Sequence, residues 1–349
     1  MRREVLPLLR CPRCSSRNFS CTALGRETEE EVLDGVLACR TCNSWFPIED
    51  GLLELLTGAL AYTGDRLQFW GKYRSRIEDL GLTLEPAPEG EGPGMELQLA
   101  QQAHFDWYST NQAQTYNEYE NSPFWLAADR IAFSAWRDEI KPGAMLLDVG
   151  CAQGRSTFKV LDLEIDVVAF DLSKRLVRQA IERYRAESPR GRACFFVADA
   201  SNLPFVDSCF DYVLVYGVLH HLPNVDRACR EIARVLRMGG SYFGQENNDS
   251  ALRKIFDLFQ RTWPQWHEEA GPEALLASDM LRDLLQGEGI ALQTRSSVFL
   301  PPHLLNLLPP AIAYRALRAA DVIAAHLPYI RKNGGVLLLH GSKAGRPQC

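Results

Sequence analysis

The chain has 349 residues, 46% of them hydrophobic, with 38 Lys and Arg against 44 Asp and Glu, a formal net charge of -6. That apolar content suffices for roughly two or three domains with cores of their own, and the acidic balance excludes a globally basic nucleic-acid surface, leaving room only for a local patch. The opening Met1-Arg-Arg-Glu-Val-Leu-Pro7 has no apolar run of signal-peptide length, and no uninterrupted stretch of about 20 apolar residues spans a membrane. A cytoplasmic location is therefore expected, and the ten cysteines point to metal binding and free thiols rather than disulfides.

Cys11-Pro-Arg-Cys14 and Cys39-Arg-Thr-Cys42 are two Cys-x-x-Cys pairs separated by 24 residues. Each pair aims two thiolates at one point, and two pairs complete a closed tetrahedral site of the structural zinc type, with no open position for catalysis. A segment this small has too little core to be stable alone, so the metal would supply folding free energy. Cys21 has no partner at that spacing and reads as a small apolar residue. Through residue 57 the segment carries seven Arg or Lys against nine Asp or Glu, which is no footprint for phosphates. Residues 58 to 122 read as irregular, with a turn-rich linker at Glu85–Gly94, then an aromatic helical stretch from His104 and Tyr108 through Tyr116, Tyr119 and Trp125.

Met145-Leu-Leu-Asp-Val-Gly-Cys-Ala-Gln-Gly-Arg155 is the most informative segment. Three apolar residues read as a buried strand, Asp148 stands at its carboxyl end, Gly150 and Gly154 frame a turn, and Arg155 to Asp162 reads as helical. Such a strand, turn and helix lets a nucleotide-like ligand approach the backbone at the carboxyl edge of a doubly wound sheet. The spacing is not that of the dinucleotide fingerprint, and the acid suits a ligand with positive charge. Cys151 needs only to be small. Ile165–Phe170 is the next strand, ending in Asp171, where a carboxylate can accept from two ribose hydroxyls; Ser173 suits a helix N-cap. Ala193–Ala198 leads to Asp199 and Ala200, Phe210–Tyr216 to the pair His220 and His221, and Glu231–Tyr242 closes the series with a helix, a glycine turn and a strand. Two more strands, Ala291–Phe299 and Val336–Leu339, flank an insertion. In it Ile312, Ala316, Ala319, Ala320, Ile323 and Leu327 follow helical spacing, with Arg315, Arg318 and Asp321 on another face. The stripe reads as docked on the core, or else as an apolar acceptor pocket or an interfacial helix.

Taken in order, the segments from about 143 to 246 resemble the class I S-adenosylmethionine-dependent methyltransferases, with a domain of the type 11 kind. The resemblance implies an α/β fold, a doubly wound seven-stranded Rossmann-like sheet. It assigns cofactor contacts to Asp148, Gly150, Cys151, Ala152 and Gly154 in the turn, Asp171 and Leu172 on the ribose side, Asp199 and Ala200 on the adenine side, and Tyr216 and the lid's Tyr116. His220 and His221 fall where the methyl group is expected, so either is a candidate general base, with a neutral imidazole near pH 7; the alternative is that the pair only packs or caps. Leu8–Cys14, Leu37–Cys42 and Trp45–Gly51 in turn resemble the small zinc-ribbon proteins that activate tRNA and release-factor methyltransferases, here fused in cis to a client. The expected organisation is a zinc ribbon over 1–57, a linker and lid over 58–122, and a methyltransferase domain over 123–349 with a helical insertion at about 300–335. The leading functional expectation is methyl transfer to an oxygen or carbon of a small or lipid-like acceptor, with peripheral membrane contact open to it. An RNA methyltransferase and a non-catalytic S-adenosylmethionine-binding scaffold are the competing readings.

Overall fold

The computed structural model describes residues 1–84, 94–263 and 274–344; within these, the side chains of Tyr116 and Thr262 are not described. Most of the expected linker therefore lies outside the described residues. The N-terminal segment forms β1 (Phe19–Ala23), β2 (Gly35–Cys39), β3 (Trp45–Glu49) and β4 (Leu52–Glu54). Helices α1 (Thr63–Asp79), α2 (Met95–Asn111), α3 (Ala113–Glu120) and α4 (Pro123–Trp136) follow. Next come β5 (Met145–Val149), β6 (Asp166–Asp171), α5 (Lys174–Glu187), β7 (Arg192–Val197), β8 (Phe210–Tyr216), α6 (Val225–Val235) and β9 (Leu236–Asn247). The chain closes with α7 (Ala251–Thr262), α8 (Ser278–Gly287), β10 (Ile290–Ser297), α9 (Pro302–Leu305), α10 (Pro310–Ala325) and β11 (Val336–Lys343).

The expected seven strands are present as β7-β6-β5-β8-β9-β11-β10, but among the described residues the sheet has eleven, because β1-β2-β3-β4 continues it at the β7 edge. β5 to β9 pair in parallel, and β11 runs antiparallel between β9 and β10. β4 joins β7 in parallel, Leu53 opposite Phe196 and Glu54 opposite Val197, and the Leu55 N–H donates to the Val197 carbonyl at 2.8 Å. An edge that would expose unpaired backbone is thus covered. The central strands are buried on both faces, Val149, Val168, Phe170, Val213 and Val215 in one core cluster and Leu146, Val167, Ala169 and Leu214 in another; this is why they read as continuous apolar runs rather than alternating ones.

Three expectations are corrected. The region after residue 58 is not irregular throughout: α1 is a mostly polar helix that buries only Phe69 and Ile77, which pack with Trp45 and Leu82. Residues after Arg155 form no α-helix but two 3-10 turns, Thr157–Lys159 and Leu161–Leu163. Side chains hold them: Asp129 binds Arg155 and Lys159, at 2.6 and 2.8 Å, and Arg137 grips Asp162 at 2.6 Å. On α10 the docked residues are Ala313, Leu317, Asp321 and Ala324, while Ile312, Ala319 and Ile323, and Leu327 just past the helix, are exposed. The helix is turned this way because Asp321 accepts from the backbone N–H groups of Val298 (3.1 Å) and Phe299 (3.4 Å) and from the Ser297 hydroxyl. These donors follow a strand end where Val298 has φ of 65°, and burying them unpaired would be costly. No helix of the described residues is long and apolar enough to cross a membrane.

Candidate functional site

A cavity of about 280 Å³ opens at the carboxyl ends of β5, β6, β7 and β8, roofed by α2 and walled by α3, α4, α7 and α9. Its lining includes Gly150, Cys151, Ala152, Asp171, Leu172, Asp199, Ala200 and Tyr216 of the sequence-predicted contacts, and both His220 and His221. Asp148 and Gly154 are not among the lining residues. The Tyr116 side chain lies outside the described residues.

Asp148 is fully buried beneath the turn, where it accepts from Ser156 Oγ at 2.8 Å and Thr157 Oγ1 at 2.5 Å. Burial pushes its carboxyl up to about 6, against the lowering effect of those two hydroxyls. Gly150 (φ 70°) and Gly154 (φ 90°) hold left-handed backbone. A Cβ at Gly150 would lie 2.5 Å from Val218, and one at Gly154 would lie 2.5 Å from Phe158. Both glycines therefore permit close packing of the turn itself.

The next two strand ends present carboxylates to the cavity. Asp171 accepts from the Ala152 N–H at 2.9 Å and the Ser173 N–H at 2.8 Å, and burial raises it to about 6. Ser173 also caps α5, accepting from the Leu176 N–H at 3.3 Å. Asp199, raised by burial, accepts from the Ser201 N–H at 2.8 Å and from Gln98 Nε2 of α2 at 3.2 Å. α2 is tied down at further points as well: Gln102 Nε2 donates to the Leu60 carbonyl at 3.0 Å, and Asp106 accepts from Ser173 Oγ at 2.6 Å and the Arg175 N–H at 3.4 Å.

The two histidines differ sharply. His220 Nδ1 lies 2.7 Å from Glu246 Oε2, and the fully buried Glu246 also accepts from the Val218 and Leu219 N–H groups at 3.1 and 2.8 Å. A ring that donates from Nδ1 to a carboxylate presents Nε2 as its basic nitrogen. His221 packs edge-on to Phe105 at 5.4 Å, and burial, then the nearby His220 and His104, hold it well below its ordinary value. Tyr216 donates to Asp129 at 2.5 Å, and Asp129 also pairs with Arg155. The remaining wall is largely apolar, through Phe124, Phe256, Val298 and Val336. Two buried polar atoms of lining residues, Gln245 Oε1 and Trp125 Nε1, have no hydrogen-bond partner among the described residues. Sequence reasoning missed Glu246, Gln245, Asp129 and Gln98. For the first two a signal existed, the polar run Gln245-Glu246-Asn247-Asn248 at a strand's carboxyl end, where such sheets bind.

Outside this cavity, the Sγ atoms of Cys11, Cys14, Cys39 and Cys42 all lie within 4.8 Å of one another. Cys11 to Cys42 is 3.7 Å and Cys14 to Cys39 is 3.6 Å. A zinc ion with bonds of about 2.3 Å to four sulfurs sets them about 3.8 Å apart, so the donor set fits such an ion. The cavity likewise fits a nucleoside carrying positive charge, with Asp171 and Asp199 at adjacent strand ends and a turn that admits backbone approach.

Residues 147–244 match the family model of a methyltransferase domain, and residues 2–51 match that of Trm112p-like proteins. The 27-O-demethylrifamycin SV methyltransferase of Amycolatopsis mediterranei is 34% identical over 102 residues, 29% of this chain and 38% of that protein. The probable tRNA methyltransferase 9B of Homo sapiens is 33% identical over 133 residues, 36% of this chain and 27% of that protein. The chain thus spans well under half the length of these curated relatives. Among solved structures, the (4+2)-cyclase SpnF superposes with a TM-score of 0.50 at 23% identity, covering 71% of this chain and 96% of that one, a likeness of fold.

Proposed function

We propose that this chain, a methyltransferase domain joined to a Trm112p-like domain, is an S-adenosylmethionine-dependent methyltransferase acting on a hydroxyl of a small or lipid-like acceptor. The observation that carries the reading is the His220–Glu246 pair, 2.7 Å apart, with His220 lining the cavity that Asp171 and Asp199 also line. S-adenosylmethionine, when bound, supplies a methyl group already activated by a sulfonium. Asp171 is placed to hold ribose hydroxyls and Asp199 the adenine amine, with Gly150, Cys151, Ala152, Leu172 and Ala200 offering backbone alongside. Tyr116 is a further contact of the lid on this reading. The protein must mainly position the acceptor, which is worth roughly 7–11 kcal/mol, and remove its proton. His220 accepts that proton at Nε2, and Glu246 compensates the charge that develops on the ring. His221, made a weaker base by its burial, packs against Phe105 of α2 and is the poorer candidate. Gln245 Oε1 and Trp125 Nε1 offer the acceptor one hydrogen-bond acceptor and one donor in the cavity that also holds the apolar wall of Phe124, Phe256, Val298 and Val336. The four cysteines hold a structural zinc.

Tritiated methyl transfer into fractionated cell extract tests this. Label should enter small molecules or lipid. His220→Ala should lose about 10²-fold or more in rate while keeping its affinity for S-adenosylhomocysteine, and His221→Ala should lose far less. Wild-type rates in His220→Ala would overturn the base, and label confined to RNA would establish the second reading, which the tRNA methyltransferase among the relatives motivates.

A further inference from the structure

The outward face of α10 has the chemistry of a surface helix that meets lipid. Ile312, Val322, Ile323 and Leu327 are 51%, 53%, 63% and 41% exposed. On the arc beside them stand Arg315 and Arg318, and just beyond the helix Arg331 and Lys332, all four exposed. From residue 302 to 335 the only acid is Asp321, which is buried. A chain with a net charge of -6 thus concentrates exposed cations, with no exposed acid, around a strip of exposed apolar side chains. None of these four cations makes an ion pair among the described residues.

That pairing of apolar stripe and flanking cations suits insertion to the depth of lipid headgroups, and 16 residues are too few to span a bilayer. α9 lies just upstream: its Pro302 lines the cavity, while Leu304 and, just past the helix, Leu307 are 56% and 66% exposed. We infer that α9 and α10 dock the protein on an anionic bilayer surface, with the cavity wall next to the docked face. The charge decides for lipid over a second copy of this acidic chain, since the cations need a partner surface of dense negative charge. Docking is independent of the methyl-transfer reading.

Flotation of the full-length protein with vesicles tests it, using phosphatidylcholine alone or with about one-third phosphatidylglycerol, a strongly anionic surface. Anionic vesicles should carry up at least fivefold more protein than neutral ones, and high salt should reduce that preference by screening. Ile323→Glu with Leu327→Glu should abolish flotation, and Arg315→Glu with Arg318→Glu should remove the anionic preference. All four positions are exposed, so both variants should melt like wild type. Failure of wild type to float with either vesicle, or unchanged flotation of the Glu variants, would overturn the inference. So would a dimer seen by light scattering that Ile323→Glu dissociates, without vesicle binding.

Discussion

Buried carboxylates at one sheet edge do two different jobs here. Asp148 holds the glycine turn from below, and burial raises it to about 6, against about 3.9 in an unfolded chain. Between these values the folded state binds the extra proton, so this group's contribution falls as pH rises through the window and its full cost stands above it. For a fully buried group that cost is about 3 kcal/mol at most. Asp148→Asn keeps an acceptor for the Ser156 and Thr157 hydroxyls without the charge. The melting temperature of the variant minus that of wild type should therefore increase by several degrees from pH 4 to pH 7; a constant difference would refute the assignment. Glu246→Gln should cut kcat roughly 10- to 100-fold with KM for S-adenosylmethionine unchanged, because Glu246 positions His220 and touches neither substrate. The residues at strand ends were legible because a strand, an acid and a glycine turn recur in order. Gln98 and Asp129 were not, since each meets its partner only across the fold: Gln98 reaches Asp199 from 101 residues away.

Elements were legible where burial on both faces produced apolar runs, as in β5 and β6, and where a cap announced a helix, as Ser173 does for α5. They were misread where side-chain bonds decided the outcome. The apolar stripe of α10 pointed to docking, yet the buried hydrogen bonds of Asp321 rotated the helix the other way, and α1 gave no periodic signal because only two of its residues are buried. Helix α2 shows the same dependence on polar anchors. Asp106 accepts from Ser173 and Arg175 at the start of α5, where an anion is favoured by the helix dipole. Asp106→Ala should loosen α2 and weaken S-adenosylhomocysteine binding about 5- to 30-fold by calorimetry, the effect of 1–2 kcal/mol for such bonds, with the melting temperature little changed. Undiminished affinity would show that α2 does not hold the ligand.

The whole molecule is organised by the continuity of its sheet. Nothing in the N-terminal sequence signalled that β4 would pair with β7, because a parallel partner 143 residues away (Leu53 with Phe196) leaves no local pattern. Yet that register makes the ribbon part of the core: Leu9, Phe46 and Leu53 pack in one cluster with Phe196, Phe205 and Phe210. Arg10 reaches Glu231 at 2.9 Å and the Leu203 carbonyl at 3.3 Å. A separate ribbon would melt on its own, and losing its metal would leave the larger part intact. A shared sheet and core instead predict one cooperative transition, with the free energy of metal binding felt by the entire chain. Calorimetry of the full chain should show a single unfolding peak, with about one zinc per chain by elemental analysis. Strong chelation, or Cys39→Ala with Cys42→Ala, should move that whole peak down by well over 5 °C and remove the zinc. Deleting residues 1–57 should expose the β7 edge and leave an aggregating protein. Two peaks, with only the smaller one sensitive to chelator, would show that the ribbon is an independent appendage and that the β4–β7 pairing contributes little to stability.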